Sequence, residues 1–233
     1  MWQPDEQNAG EQSAITYPDL HRPLSTQIRQ CALMLVLSGP SGVGKTTITR
    51  ALVEAGWNGH VLVTATTRRP RAGEIDGVHY HFRTIQQFRE MVEQGELLEH
   101  AEVHGNWYGT PAQPVREKLA AGIDVIMTID PQGAQKIRER TRGAIFIFLA
   151  PESLDDLVER VNLRAQDSPE QRALRLLNAE QEMAELPKYD YLIVNRRGRL
   201  DEAIAQLRAI ITAEHSRIQP RCPELQPPQQ ATS

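Results

Sequence analysis

Gly39, Pro40, Ser41, Gly42, Val43, Gly44, Lys45 and Thr46 carry the clearest chemistry in this 233-residue chain. They match the pattern G-x-x-x-x-G-K-[ST] in full, directly after the apolar run Ala32–Leu37 and directly before a helix-like stretch, Thr46–Ala55. Strand, glycine-rich loop and helix form the setting in which a loop cradles nucleotide phosphates. The glycines let successive backbone N–H groups turn toward an anion, and the helix N-terminus adds its partial positive charge. Lys45 can then reach β- and γ-phosphates, and the Thr46 hydroxyl can ligate Mg²⁺, with Thr47 beside it on the nucleotide. An ordinary turn before a helix explains the glycines, but not Gly-Lys-Thr after an apolar strand.

A second group of residues could hold another phosphate. Thr64-Ala-Thr-Thr-Arg-Arg-Pro-Arg71 places Arg68 and Arg71 three apart on an extended loop, from which both can fork onto a phosphate dianion. Tyr80 and Tyr108 can add neutral hydroxyl donors. Taken singly, the arginines read as a solvated basic loop and the tyrosines as core. Beside a phosphate-binding loop, a shared role gains weight.

These residues need a scaffold. Apolar strand-like runs at 32–37, 61–64, 123–129, 144–149 and 191–194 alternate with helical stretches at 46–55, 111–121, 132–140, 154–163, 169–186 and 200–215. The run Ala144–Leu149 is almost wholly apolar, as in a parallel sheet covered on both faces. The alternation predicts an α/β fold: a P-loop core with a parallel sheet flanked by helices. Residues 61–110 differ. Their strand-like runs, Gly77–Phe82 and Leu97–His104, are short and close together, with a helix over 85–95 between them, so they read as an inserted small β-rich subdomain.

Bulk properties bound the remainder. The length suits one domain with appendages, placed at 31–215. Residues 1–30 and 216–233 are polar and expected to be disordered tails. A net charge of −4 argues against a dedicated nucleic-acid binder. No apolar run approaches the ~18 residues of a membrane span, and no secretory leader is visible. The two cysteines, Cys31 and Cys222, are expected as unpaired thiols in a reducing compartment, and the protein as cytoplasmic.

The ordered series P-loop, T-T-R-x-P-R at 66–71, G-E-x-D-G-x-x-Y at 73–80, Glu99, G-N-x-Y-G-T at 105–110 and I-D-x-Q-G at 129–133 resembles the guanylate kinases, over about 34–212. The resemblance implies transfer of the γ-phosphate of ATP to GMP, and also to dGMP, with Mg²⁺. It implies a GMP-binding subdomain over 61–110 and a helical lid over 154–180. By resemblance, Glu99 accepts from the guanine N1–H and N2–H₂ edge and Thr110 faces O6, with Thr64 and Asp130 nearby. Adenine shows the opposite pattern at positions 1 and 6 and would leave Glu99 without its donor. Lid arginines fall on Arg160, Arg164 and Arg175, and Asn195 falls near the ATP adenine. Lys45 and the lid arginines would act by neutralising charge, without a dedicated general base. Oligomeric state is left open between monomer and homodimer.

The chain departs from the family pattern at four places. The lid run R-G-R-G-T is Asn162-Leu-Arg-Ala-Gln166, so Leu163 and Ala165 replace glycines and bear on lid closure. Thr128 stands where an acid is usual, Thr64 replaces a serine, and V-N-D-D is Val194-Asn-Arg-Arg197. Two other functions compete: a binding module of the same fold, which would lack the P-loop lysine, and a P-loop kinase for ribose bisphosphates, which would not need Glu99, Thr110 and the tyrosines.

Overall fold

The computed structural model describes residues 31–103, 105–162 and 177–226. In chain order the first half runs β1 (Met34–Ser38), α1 (Lys45–Glu54), β2 (His60–Val61), β3 (Ala65–Thr66), β4 (His81–Phe82), α2 (Ile85–Glu93), β5 (Leu97–Val103), β6 (Asn106–Pro111) and α3 (Ala112–Ala120). The second half runs β7 (Val125–Thr128), α4 (Pro131–Arg140), β8 (Thr141–Arg142), β9 (Ile145–Pro151) and α5 (Leu154–Asn162). It ends with a helix over 177–183, here α6, then β10 (Tyr191–Asn195), α7 (Leu200–His215) and β11 (Glu224–Leu225).

The main sheet is ordered β10-β9-β1-β7-β2, and every pair in it is parallel. All five residues of β1 are buried. Alternate residues feed opposite faces: Leu35 and Leu37 join a cluster with Ile48, Leu52, Leu207 and Ile211 under α1 and α7. Met34 and Val36 join Val115, Ala134, Ile137 and Phe146 under α3 and α4. Burial on both faces explains why these strands are continuous apolar runs rather than alternating ones.

The inserted segment builds a four-stranded sheet, β4-β3-β6-β5. Ala65, Phe88 and Leu97 form its own small core, with Met91 and Trp107 against it. α2 opens with a capping box in which Thr84 and Gln87 satisfy each other's backbone N–H groups. The expected strand over 77–82 is shorter: only His81–Phe82 pair as a strand, and Gly77, at φ 75°, turns the chain before them. β6 is not legible as a strand because Gly109 interrupts its apolar pattern. A Cβ there would lie 2.7 Å from Leu97 Cδ1 and 3.1 Å from the Glu99 carbonyl oxygen, so close packing of β5 requires the glycine.

Two expectations about the chain ends are corrected. Residues 217–226, assigned to a disordered tail, are held on the domain. β11 pairs antiparallel with β8, Gln226 N–H donates to Arg140 O (3.0 Å), and Arg221 pairs with Asp190 at 2.9 Å. Cys31 and Cys222 are not free thiols but a disulfide with Cα atoms 5.2 Å apart. A separation of 191 residues hides this pairing in the sequence, because only the returning C-terminal strap brings Cys222 to the start of β1. The expected tail over 1–30, and residues 163–176 of the expected lid, lie outside the described residues.

Candidate active site

The phosphate-binding loop leaves β1 at its carboxyl end and enters α1. Its glycines are required by shape. Gly39 has φ 140°, and a Cβ there would sit 2.1 Å from Leu149 O; Gly44 has φ 105°, and a Cβ there would sit 2.6 Å from Asn195 Nδ2. Asn195, at the end of β10, donates from Nδ2 to Val43 O at 2.7 Å, so the loop is tied to an edge strand of the sheet. Lys45 Nζ donates to Gly39 O (2.5 Å) and Pro40 O (3.1 Å). Burial lowers the Lys45 pKa, while the negative charges of Glu182 and Asp130 work the other way. The Thr46 side chain is exposed at the α1 N-terminus and Thr47 is half-buried beside it.

The small sheet supplies the second cluster. Arg68 Nη2 donates to both Glu74 oxygens, at 2.8 and 2.9 Å, and the Arg71 backbone N–H donates to Glu74 Oε2 at 2.7 Å. The Arg68 guanidinium lies 5.2 Å from the Tyr80 ring centroid, and the Tyr80 and Tyr108 rings are 6.1 Å apart. Arg68, Tyr80 and Tyr108 therefore form one group, with Arg71 exposed on the same loop. Although burial opposes it, Glu74 raises the Arg68 pKa, and the hydrogen bond from Arg68 lowers that of Glu74.

Behind this group, Glu99 and Thr110 are buried, at 4% and 1% exposure. Burial pushes the Glu99 carboxyl up to about 7, against the hydrogen bond from Thr110. Thr64 lies half-buried just before β3, its carbonyl accepting from His81 N–H at 2.9 Å.

Asp130 links the two clusters. It is the N-cap of α4, accepting from Gly133 N–H at 2.7 Å, with Pro131 in the first turn. Its charge acts on Lys45 on one side and on Glu99 on the other. Gly133 fits between: a Cβ there would lie 3.0 Å from Glu99 Oε2 and 3.4 Å from Asp130 Oδ1.

Sequence reasoning assigned no role to three residues of this site. Glu74 orders the arginine loop, and Gly133 leaves room for Glu99; the motifs G-E-x-D-G-x-x-Y and I-D-x-Q-G that contain them are the signal in the sequence. Glu182, on α6, acts electrostatically on Lys45; burial raises its own pKa, while Lys45 and the Ser41 main-chain N–H lower it. Nothing local in the sequence marks it. The Arg160 side chain, Arg164 and Arg175 lie outside the described residues. Arg196 and Arg197, where acids are usual, find acidic partners: Arg197 reaches Glu159 on α5 (3.0 Å), and Arg196 lies near Glu152 (3.7 Å) and Glu202 (3.6 Å).

Among the described residues no group of three His, Cys, Asp or Glu side chains could hold a metal ion.

A parallel α/β sheet with a P-loop at the carboxyl end of a central strand, and an inserted sheet that gathers Arg68, Tyr80 and Tyr108, defines a P-loop nucleotide-binding protein. The guanylate kinase family model matches residues 32–214, and the chain belongs to that family. It is 49% identical over 183 residues to a guanylate kinase of Paramagnetospirillum magneticum, covering 78% of this chain and 85% of the relative. It is 46% identical to one from Chelativorans sp., covering 83% and 88%. Its fold is similar to the crystal structure of guanylate kinase from Anaplasma phagocytophilum, with a TM-score of 0.68, 32% identity, and 82% and 89% coverage.

Proposed function

We infer that the chain catalyses the guanylate kinase reaction, transferring the γ-phosphate of ATP to GMP to give ADP and GDP. Family membership supports the reaction, and the site supports a division of labour. The loop Gly39–Thr46, with Thr47, holds the donor phosphates, and Asn195 braces it on the adenine side. Arg68, Arg71, Tyr80 and Tyr108 hold the acceptor phosphate. Glu99 and Thr110 read the guanine edge, with Thr64 and Asp130 beside them. dGMP is expected as an acceptor too, since none of the roles assigned to these residues involves the ribose 2′-hydroxyl.

Little covalent chemistry is asked of the protein; positioning and charge neutralisation lower the barrier. Lys45 neutralises the donor phosphates, and Arg160, Arg164 and Arg175 are the lid residues assigned to the transferring group. The Thr46 hydroxyl would hold Mg²⁺, which would supply charge neutralisation. The substrates are soluble nucleotides, and the site of action is the cytoplasm. Among the described residues, no helix is long and apolar enough to cross a membrane.

The observation that carries this reading is the buried Glu99–Thr110 pair, joined to the P-loop lysine through Asp130. A binding module of the same fold would have no use for an intact Lys45. The test is ADP formation from ATP and Mg²⁺ with GMP, dGMP, AMP, CMP, UMP or ribose 1,5-bisphosphate as acceptor. Turnover is expected with GMP and dGMP alone, and Lys45→Ala is expected to abolish it in a folded protein. Turnover with ribose 1,5-bisphosphate, or by the Lys45→Ala variant, would overturn the assignment.

A further inference from the structure

The C-terminal strap, residues 217–226, runs across the end of the main sheet opposite the active site. The P-loop, Asp130 and Asn195 lie at the carboxyl ends of β1, β7 and β10. The strap instead meets the amino ends. Cys222 is bonded to Cys31, three residues before β1. The Cys222 carbonyl oxygen lies where a Cβ on Gly143, just before β9, would be 2.4 Å away, so a glycine there admits the strap. Arg221 pairs with Asp190, just before β10, at 2.9 Å. Arg221 also lies 3.6 Å from Glu214, whose side chain is fully buried and accepts from Tyr191 Oη at 2.5 Å.

The family match ends at residue 214, so the strap follows the matched domain. It nevertheless brings a cation to a buried carboxylate inside that domain. Without the sulfurs, Arg221, the β11–β8 pairing and the Gln226–Arg140 bond would still draw the strap back to this end of the sheet between openings. Reduced cysteines would thus stay close, and their re-closure would be intramolecular at high effective concentration. Both cysteines are half-buried rather than sealed, so a thiol can reach them.

We propose that Cys31–Cys222 is a reversible thiol–disulfide exchange site that locks and releases the C-terminal strap without altering the transfer chemistry. In the opening direction, a thiolate of a cellular thiol attacks one sulfur. It forms a mixed disulfide and expels the other cysteine as a thiolate, which takes a proton; a second thiol then resolves the mixed disulfide. Two reductant thiols become one disulfide, and Cys31 and Cys222 gain two electrons and two protons. In the closing direction an oxidised thiol, such as glutathione disulfide, takes those electrons back. The bond closes nearly the whole chain into one loop, where a cross-link restricts the unfolded state most.

The test uses the full chain, equilibrated with glutathione disulfide or with dithiothreitol, and then analysed by intact mass, thermal unfolding and tryptic cleavage. The oxidised protein is expected to be lighter by two hydrogens and to melt about 10 °C higher. It should resist cleavage after Arg217 and Arg221, sites that open several-fold faster on reduction. GMP turnover at 25 °C is expected to be equal in both states. Cys222→Ser should match the reduced protein and lose its response to dithiothreitol; Cys31→Ser serves if that variant does not fold. Free thiols after glutathione disulfide treatment, or equal melting of the two forms, would overturn the exchange site. A changed turnover would overturn its separation from the chemistry.

Discussion

Glu99 and Thr110 sit directly opposite each other across the β5–β6 pair, with Thr110 Oγ1 donating to Glu99 Oε1 at 2.8 Å. A register shift between Leu97 and Glu99 sets this pairing. A carboxyl group thereby sits in the protein interior, where its charge is costly. Its pKa, raised from 4.5 to about 7, gives a folding signature. The folded state holds this proton more tightly than the unfolded chain, so the contribution is fully present below about 4.5 and is lost as pH rises to about 7. Across that window, the stability difference between Glu99→Gln and wild type should grow in favour of the variant, read by urea unfolding at several pH values. A difference independent of pH would mean that the carboxyl titrates normally.

In the role proposed for it, the same carboxyl must be ionised to accept from guanine. kcat/KM for GMP should therefore rise with pH through an apparent pKa near 7. Glu99→Gln should flatten that limb and raise the KM for GMP by about 10- to 100-fold, the scale of one unmatched buried hydrogen-bond group. The KM for ATP should move little. Equal effects on both substrates would remove the guanine assignment.

Gly133→Ala tests the space around that carboxylate. The added methyl would lie 3.0 Å from Glu99 Oε2, and α4 is anchored by the Asp130 cap, so Glu99 must yield. The expected outcome is a several-fold higher KM for GMP with the melting temperature nearly unchanged, because alanine suits a helix better than glycine. An unchanged KM would show that Glu99 has room to move.

Much of this site was legible, and for physical reasons. The P-loop needs its residue types at fixed spacing, so Gly39, Lys45 and Thr46 announce themselves. β1, β7 and β9 are buried on both faces and read as apolar runs. Residues placed by tertiary packing were not legible. Glu182 comes to Lys45 from a distant helix, and Cys222 comes to Cys31 across the whole fold. β6 hides behind Gly109, a residue whose local preference speaks against a strand while packing on β5 demands it.

Glu74 orders the loop proposed to hold the acceptor phosphate. It holds Arg68 with two hydrogen bonds and the loop backbone at Arg71 with a third. The Arg68 and Glu74 side chains are only 14% and 17% exposed, so the pair is shielded from solvent. Glu74→Ala leaves a sheltered guanidinium without this partner and should cost about 1–3 kcal/mol of stability. It should also raise the KM for GMP while sparing that for ATP, because the arginine loop loses its shape. An effect on stability alone would confine Glu74 to folding.

Asn195 offers the matching test on the donor side. It is 7% exposed, and its bond to Val43 O crosses from the end of β10 to the phosphate loop. Gly44 lies against its amide, so loop shape and side chain fit together. Asn195→Ala removes that brace at a cost of about 1 kcal/mol and lets the loop relax. The KM for ATP should rise several-fold, with the KM for GMP changed far less. Gly44→Ala should be more damaging, since it combines an unfavourable φ of 105° with a contact of 2.6 Å. If Asn195→Ala raises the KM for GMP instead, the brace serves the acceptor side of the cleft, and the donor assignment of this residue falls.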